Sequence, residues 1–374
     1  MLIRNILLPF YLIFASVFAD TVIDTNTVTR GFLEIDGSVT VESDSYWAII
    51  DNALTSFVGD VRVQEDATLY ITSLSPSLAL TVEMLNPLHL FVNKGTTVFN
   101  SMISLSPPRY QIAGQSFVNT GEIYFVGGSA VIPPVFDITT AEFDNQGLIT
   151  FYQDSRSTSL VNLGVPTTTI NNEGNICFFN SVYGQSTAIT GNGCMTANMD
   201  TTIYLSNALL GVPREHTFVL ADSESSIVAD AFSTVQTFTV SGFGRGNKVG
   251  LTCPLFEIPF GPKEFEYDPQ TGILTLRCAG LLATKFDIGL GYDPNGFRKV
   301  TDSGGGFPAT IGGSVTYDGP IPNEVMPEHC MPCQPIPGCP LCTPEDDEES
   351  TSSEVDVESS TTTVDDDDEE TSST

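Results

Sequence analysis

Phe91-Val-Asn93-Lys-Gly95-Thr-Thr97-Val-Phe99 returns three times, as Phe117-Val-Asn119-Thr-Gly121-Glu-Ile123-Tyr-Phe125, Phe143-Asp-Asn145-Gln-Gly147-Leu-Ile149-Thr-Phe151 and Ile170-Asn-Asn172-Glu-Gly174-Asn-Ile176-Cys-Phe178. The asparagines fall 26, 26 and 27 residues apart. A period of this length with strand-like alternation marks a solenoid, in which no single coil can bury its own apolar face. Coils stacked at about 4.8 Å would bond to one another through the backbone and share one core. The positions two before, four after and six after each Asn are mostly apolar and share one face of a strand, so they are placed inward. Equivalent asparagines predict an amide ladder, and the Gly two residues later suits a sharp corner at positive φ. The competing arrangement is an antiparallel sandwich with evenly spaced hairpins. Five positions staying in phase over four copies argue for the solenoid.

Met1 to Ala19 has the marks of a secretion signal. Arg4 precedes an apolar run, and Val17-Phe18-Ala19 ends it as a small-residue cleavage site, so the mature chain is expected to begin at Asp20. No later stretch reaches the roughly 18 apolar residues of a membrane helix, which predicts a soluble remainder. Fourteen basic residues face 46 acidic ones, for a formal charge of −32, which argues against nucleic acid as a partner. Fourteen of the acids lie beyond Pro344, so the body is acidic even without its tail. Abundant Thr, Ser, Val, Ile, Phe and Gly make this an all-β composition.

Weaker copies precede the ladder at Phe32-Leu-Glu-Ile35-Asp-Gly37-Ser-Val39-Thr-Val41 and at Phe57-Val-Gly59-Asp-Val61-Arg-Val63, where a capping coil is expected. Looser ones follow through Gly193-Cys194 and Thr202-Ile203-Tyr204-Leu205. The predicted solenoid covers residues 20–212 with seven or eight coils. From Gly211-Val212-Pro213 the repeat is lost, and residues 213–320 read as a small β-sandwich packed on the last coil, with a tight turn at Asp268-Pro-Gln-Thr-Gly272. Residues 321–374 turn Pro- and Cys-rich, then Ser/Thr-rich and acidic, and read as a disordered, solvated stalk suited to O-linked sugar. No Asn-x-Ser/Thr acceptor occurs.

Eight cysteines in a secreted chain predict disulfides. Cys177 lies between inward Ile176 and Phe178, so it should point outward toward Cys194; the expected pairs are Cys177 with Cys194 and Cys253 with Cys278. Cys330-x-x-Cys333-x5-Cys339-x-x-Cys342 has two knuckles able to hold zinc, but they stand closer than zinc motifs usually place them, and disulfides are favoured. Gly242-Phe-Gly244-Arg-Gly246-Asn-Lys248 resembles a phosphate loop with no helix after it, and a hairpin turn is favoured. His89, His216 and His329 are far apart and read as surface or turn residues. Trp47 could be a sugar platform, though core or cap packing is the stronger reading. Secreted solenoids that cleave acidic glycans need clustered carboxylates with cations over successive coils. Here Arg62, Lys94, Arg109 and Arg156 occupy no matching repeat positions. No catalytic residue, cofactor or metal is expected.

Thr29-Arg-Gly31, Tyr46-Trp47-Ala-Ile-Ile-Asp-Asn52, the Asn-x-Gly ladder, Ile176-Cys177 with Gly191-Asn-Gly193-Cys194, and Leu251-Thr-Cys253-Pro254 together resemble the N-terminal domain of the hyphally regulated cell-wall protein family, adhesin-like wall proteins of Candida-type yeasts. The resemblance covers roughly residues 20–320. It implies a right-handed parallel β-helix, a small β-sandwich resembling α-crystallin, and display on a glycosylated stalk. Members commonly end in a lipid-anchor signal leading to attachment to wall glucan. This sequence stops at Ser373-Thr374 without a hydrophobic tail, which implies either a fragment or a released member. The expected function is therefore non-enzymatic: a secreted wall adhesin contacting glucan, host, abiotic or cell surfaces. The alternatives are a polysaccharide-active β-helix enzyme and a purely structural wall component.

Overall fold

The computed structural model describes residues 19–128, 132–206, 210–231, 236–280, 282–303, 310–322 and 324–342. The proposed signal through Phe18 and the acidic tail from Thr343 lie outside the described residues. All regular structure described is β-strand, and residues up to Leu341 belong to one compact unit.

The repeat is a parallel solenoid of about eight turns with three sheets, one on each side of the coil. The first sheet holds eight strands from Thr21–Ile23 to Ala188–Thr190, including Leu90–Asn93, Ser116–Asn119, Glu142–Asn145 and Thr169–Asn172. The second begins at Thr27–Arg30 and carries the second half of each phrase, as in Thr96–Ser101 and Glu122–Gly127; the third begins at Leu54–Ser56. Pairing is in register: Phe91, Phe117 and Phe143 are partners on the first sheet, and Phe99, Phe125, Phe151 and Phe178 on the second. All of these side chains are buried inside the tube, as the alternation predicts.

In-register stacking sets each aromatic ring on its own copy. Phe117 and Phe143 lie 5.0 Å apart between centroids, and Phe125 and Phe151 lie 5.0 Å apart with ring planes 11° from parallel. Such pairs add about 0.5–1.5 kcal/mol beyond burial. One sequence position therefore acts as a continuous column along the rod.

The asparagines form the ladder. Asn93 Nδ2 donates to Asn119 Oδ1 at 2.8 Å, Asn119 to Asn145 at 2.8 Å and Asn145 to Asn172 at 2.7 Å, all fully buried. Both ends are closed. Thr97, which stands where later copies have Ile, donates its hydroxyl to Asn93 Oδ1 at 2.9 Å, and Asn172 Nδ2 donates to the Cys194 carbonyl at 3.0 Å.

The glycines differ from expectation. Gly95, Gly121, Gly147 and Gly174 do not adopt positive φ. Their reason is contact between coils: a methyl on Gly121 would lie 2.0 Å from the Gly95 carbonyl oxygen, and one on Gly147 would lie 2.0 Å from that of Gly121.

Parallel pairing continues past the boundary expected at residue 212. Thr217–Leu220 pairs in parallel with Cys194–Asn198, Thr237–Ser241 follows it, and Ser226–Ala229 and Lys248–Leu251 extend the third sheet in the same way. What has no further strand among the described residues is the first sheet, after Ala188–Thr190. The Asn-x-Gly phrase belongs to that side of the coil, so its loss looks in sequence like the end of the solenoid.

The separate sandwich expected over residues 213–320 is not confirmed; the two remaining sheets extend through these residues. Leu282–Asp287 pairs in parallel with Thr237–Ser241 and continues antiparallel through Ile273–Cys278 and Phe265–Asp268. Ser314–Tyr317 and Phe297–Val300 extend the third sheet antiparallel. Phe243, Tyr267, Tyr292, Phe297 and Tyr317 fill the space between these strands, with Phe297 and Tyr317 at 5.0 Å. Antiparallel hairpins thus end the stack without leaving another parallel edge to be paired.

Candidate functional site

The outside of the second sheet is closed over its middle strands, from Tyr46–Ile50 to Thr217–Leu220: Ala48, Val98, Tyr124 and Cys177 point away from the core yet are inaccessible. Met326 to Cys339 lies over this face as a strap, where a solvated stalk was expected. Its contacts walk down the rod toward the N-terminus. His329 Nε2 meets Thr217 Oγ1 at 3.1 Å, Cys330 is bonded to Cys194, the Met331 carbonyl accepts from Asn175 Nδ2, and Cys333 is bonded to Cys177. Farther on, Tyr70 donates its hydroxyl to the Pro337 carbonyl at 3.2 Å, and the Tyr46 hydroxyl is 2.8 Å from Cys339 Sγ.

Thr217, Cys194, Asn175, Leu148, Glu122, Thr96, Thr68 and Tyr46 are register partners in one column. Seven strand spacings of about 4.8 Å cover roughly 34 Å. The ten residue steps from His329 to Cys339 reach about 31–35 Å when extended or in a polyproline conformation. The strap is therefore nearly taut, and its prolines suit a segment that must stay extended without pairing.

The pairing expected between Cys177 and Cys194 is corrected by this arrangement. Cys177 is in register with Thr196, and Cys194 with Asn175. A two-residue offset plus one strand spacing puts their Cα atoms roughly 8 Å apart, beyond the 7 Å that a disulfide spans. The Cys-x-x-Cys of the strap reaches both instead and fastens two adjacent coils. Cys253 is bonded to Cys278, and no cysteine is free. His329 lies near the Cys194 and Cys330 sulfurs, but those sulfurs are bonded to each other and offer no thiolate to a metal.

The remaining residues singled out from sequence fall as follows. His216 is fully buried, not at the surface, and burial holds its imidazole down to about 4. His89 pairs with Asp60 at 3.1 Å. Trp47 points into the core and donates Nε1–H to Thr29 Oγ1 at 3.1 Å. In the glycine-rich loop the amides of Arg245 and Gly246 bond to the carbonyls of Gly319 and Tyr317, and Asn247 bridges the Gly244 amide and the Gly242 carbonyl. Nothing there is left to cradle a phosphate.

Three surfaces carry accessible chemistry. On the outside of the third sheet, half-exposed polar side chains form a row across successive coils: Arg109 Nε donates to Gln111 Oε1 at 2.8 Å, Gln111 Nε2 to Asp137 Oδ2 at 2.8 Å and Asn162 Nδ2 to Asp137 Oδ1 at 2.6 Å. The first sheet has a shorter row, in which Asn171 donates to Asp144 at 2.8 Å. Gln111 and Asp137 each stand eight residues before a ladder asparagine, so the row was readable as a repeated polar position. At one corner, Asp154, Asp200, Asp222 and Glu224 line a shallow depression of about 470 Å³. Arg156 pairs with Asp200 there, and Asp222 is tied to the amides of Glu224 and Ser225.

Comparison with known proteins agrees with this geometry. A profile described as "Hyphally regulated cell wall protein N-terminal" matches residues 10–340. Among Candida albicans proteins, the chain is 43% identical to Cell wall protein IFF6 over 91% of its own length, 46% identical to Hyphally regulated cell wall protein 3 over 92%, and 44% identical to Cell wall protein IFF3 over 92%. It spans only 31%, 28% and 36% of those relatives. These relatives are cell wall proteins, and an extracellular wall location fits a chain without free cysteines. The chain belongs to the hyphally regulated cell wall protein family, and what it shares with those relatives is their N-terminal domain.

Proposed function

We propose that the chain is a non-enzymatic wall protein whose head attaches the cell to glycan-bearing surfaces, host, abiotic or cellular. The observation that carries this reading is the row Gln111, Asp137 and Asn162. Donors and acceptors are held half-exposed on a flat sheet, one per coil, where a polymer of sugar hydroxyls can run along them. Side chains on strands of a rigid scaffold are positioned better than side chains on loops. The Ser/Thr-rich residues beyond the head would serve as a glycosylated stalk, following secretion by the N-terminal signal and anchoring as in wall-bound relatives.

The test is display of the chain on non-adherent yeast, with attachment scored on epithelial cells, plastic and glucan. Attachment should rise with the unaltered chain and fall with the combined Gln111→Ala, Asp137→Ala and Asn162→Ala variant. Unchanged attachment on every substrate refutes the reading. One observation favours a second reading as a glycan-cleaving enzyme, namely the four carboxylates beside Arg156 at the corner depression. Release of reducing ends from a glycan panel, abolished by Asp154→Asn with Glu224→Gln, would establish it.

A further inference from the structure

The three sheets do not begin together. The first coil supplies Thr21–Ile23 to the first sheet and Thr27–Arg30 to the second, but its third side, Phe32 to Asp36, is irregular. The third sheet therefore starts one coil later, at Leu54–Ser56, which among the described residues pairs only with Thr81–Met84. Between this edge and the irregular loop runs an open groove of about 520 Å³.

The edge is chemically unfinished. The Ala53 carbonyl accepts from Thr81 N at 2.9 Å, and Phe57 N donates to the Glu83 carbonyl at 2.8 Å. Backbone groups alternate sides along a parallel strand, so those of Leu54 and Ser56 face the groove. Asn52 Nδ2 occupies the Leu54 carbonyl at 2.9 Å. No backbone hydrogen bond from Phe32 to Asp36 reaches Leu54 or Ser56 among the described residues.

The walls carry a pattern of their own. Phe32, at 87% exposure, stands with Leu33, Leu54 and Val58 around the opening. Glu34 and Asp36 add exposed carboxylates, and among the described residues neither Lys nor Arg lines the groove.

We propose that this tip binds an extended peptide segment of another protein by strand addition, preferring alternating apolar and Lys or Arg residues. The bare edge supplies the main-chain hydrogen bonds, the apolar wall takes alternate side chains, and the carboxylates select cations. A second copy is disfavoured as the occupant, because two chains of formal charge −32 would meet at acidic tips. The site is separate from the polar row and stands or falls independently of attachment through it.

Labelled Val-Lys-Val-Lys-Val is titrated into the chain and followed by fluorescence anisotropy, beside a copy N-methylated at alternate amides and beside Val-Glu-Val-Glu-Val. The unaltered chain should bind the first saturably and the other two at least about tenfold more weakly, the loss expected for one or two hydrogen bonds or a like-charge clash. Ser56→Pro removes an N–H that faces the groove and spares the ladder to Thr81–Met84, so it should weaken binding by about tenfold at an unchanged melting temperature. Should that variant melt early, Glu34→Lys with Asp36→Lys, both on the exposed loop, decides by reversing the preference between the two charged peptides.

Equal affinity for methylated and unmethylated peptide, binding indifferent to both variants, or no binding at all overturns the proposal. So does a concentration-dependent dimer abolished by Ser56→Pro, which would assign the edge to a second copy. Loss of cell attachment in the polar-row variant with peptide binding intact bears only on the attachment reading and leaves the tip site standing.

Discussion

Replacing Asn119 by Ala tests whether the amide ladder holds the coils together. Asn119 is fully buried; it accepts from Asn93, and it donates to Asn145 Oδ1 and to the Leu148 carbonyl at 3.1 Å. The substitution deletes three hydrogen bonds at about 1 kcal/mol each. It leaves the Leu148 carbonyl and Asn145 Oδ1 without that donor, each liable to a further penalty of about 1 kcal/mol unless water enters. Asn93 suffers less, because its amide also donates to the carbonyls of Gly95 and Glu122. The expected loss is about 3–5 kcal/mol. Urea unfolding followed by circular dichroism, with amide exchange of Leu148–Gln153 as a local probe, measures it. Asn171→Ala, on the exposed side of the same sheet, is the control and should cost under about 1 kcal/mol. Equal and small losses at both positions would refute the claim that the ladder is a stabilising spine.

Gly121→Ala sets a methyl against the Gly95 carbonyl and should destabilise by about 3 kcal/mol or more, or prevent folding; a melting temperature within a degree of the parent would show that the coils can spread at little cost. Cys330→Ser with Cys333→Ser frees the strap, so ANS fluorescence should rise as the outer face of the second sheet opens, with a stability loss of at least about 3 kcal/mol from the long loops no longer closed. His216 adds a pH dependence. Its folded pKa, about 4, lies below the ordinary 6.5, so the unfolded chain binds the extra proton between these values; stability is full above pH 6.5 and falls by about 3 kcal/mol as pH drops toward 4. His216→Met should flatten that segment of the stability–pH curve, and an unaltered slope would mean that the imidazole is solvated.

The solenoid was legible because its governing positions repeat at constant offset. Phe117, Asn119, Gly121, Ile123 and Phe125 each form a column with their copies, and a column leaves a periodic trace in one sequence. The parts that were not legible break that condition. Past Thr190 the first sheet has no further strand among the described residues and the Asn-x-Gly phrase is lost, while the other two sheets continue through Thr217–Leu220 and Ser226–Ala229 with only general β character. Gly121 was read with the right residue and the wrong cause, since a corner needing positive φ and a corner pressed against the coil below both select glycine. The Cys177–Cys194 pairing failed because proximity in sequence and a shared outward face do not fix the offset along the strand. His216 carried no periodic mark at all, and it is buried with its ring edge-on to Phe218.

The strap did leave a trace, in the strands rather than in itself. A sheet with one wet face alternates, and a sheet covered on both faces reads as a continuous apolar run. Ile123-Tyr-Phe-Val126 and Cys177-Phe-Phe179 are of the second kind, whereas Phe117-Val-Asn119 and Phe143-Asp-Asn145 are of the first. Something had to cover the second sheet, and the Pro-rich stretch was the segment long enough to do so without forming a strand. That assignment also decides which surfaces are open. With the second sheet sealed along the column from Thr217 to Tyr46, the surfaces left open are the first and third sheets, the corners, the tip and the exposed end of the second sheet around Phe265–Asp268 and Leu282–Asp287. The third sheet matters most, because it bears the row through Gln111, Asp137 and Asn162 and ends in the unpaired edge at Leu54–Ser56.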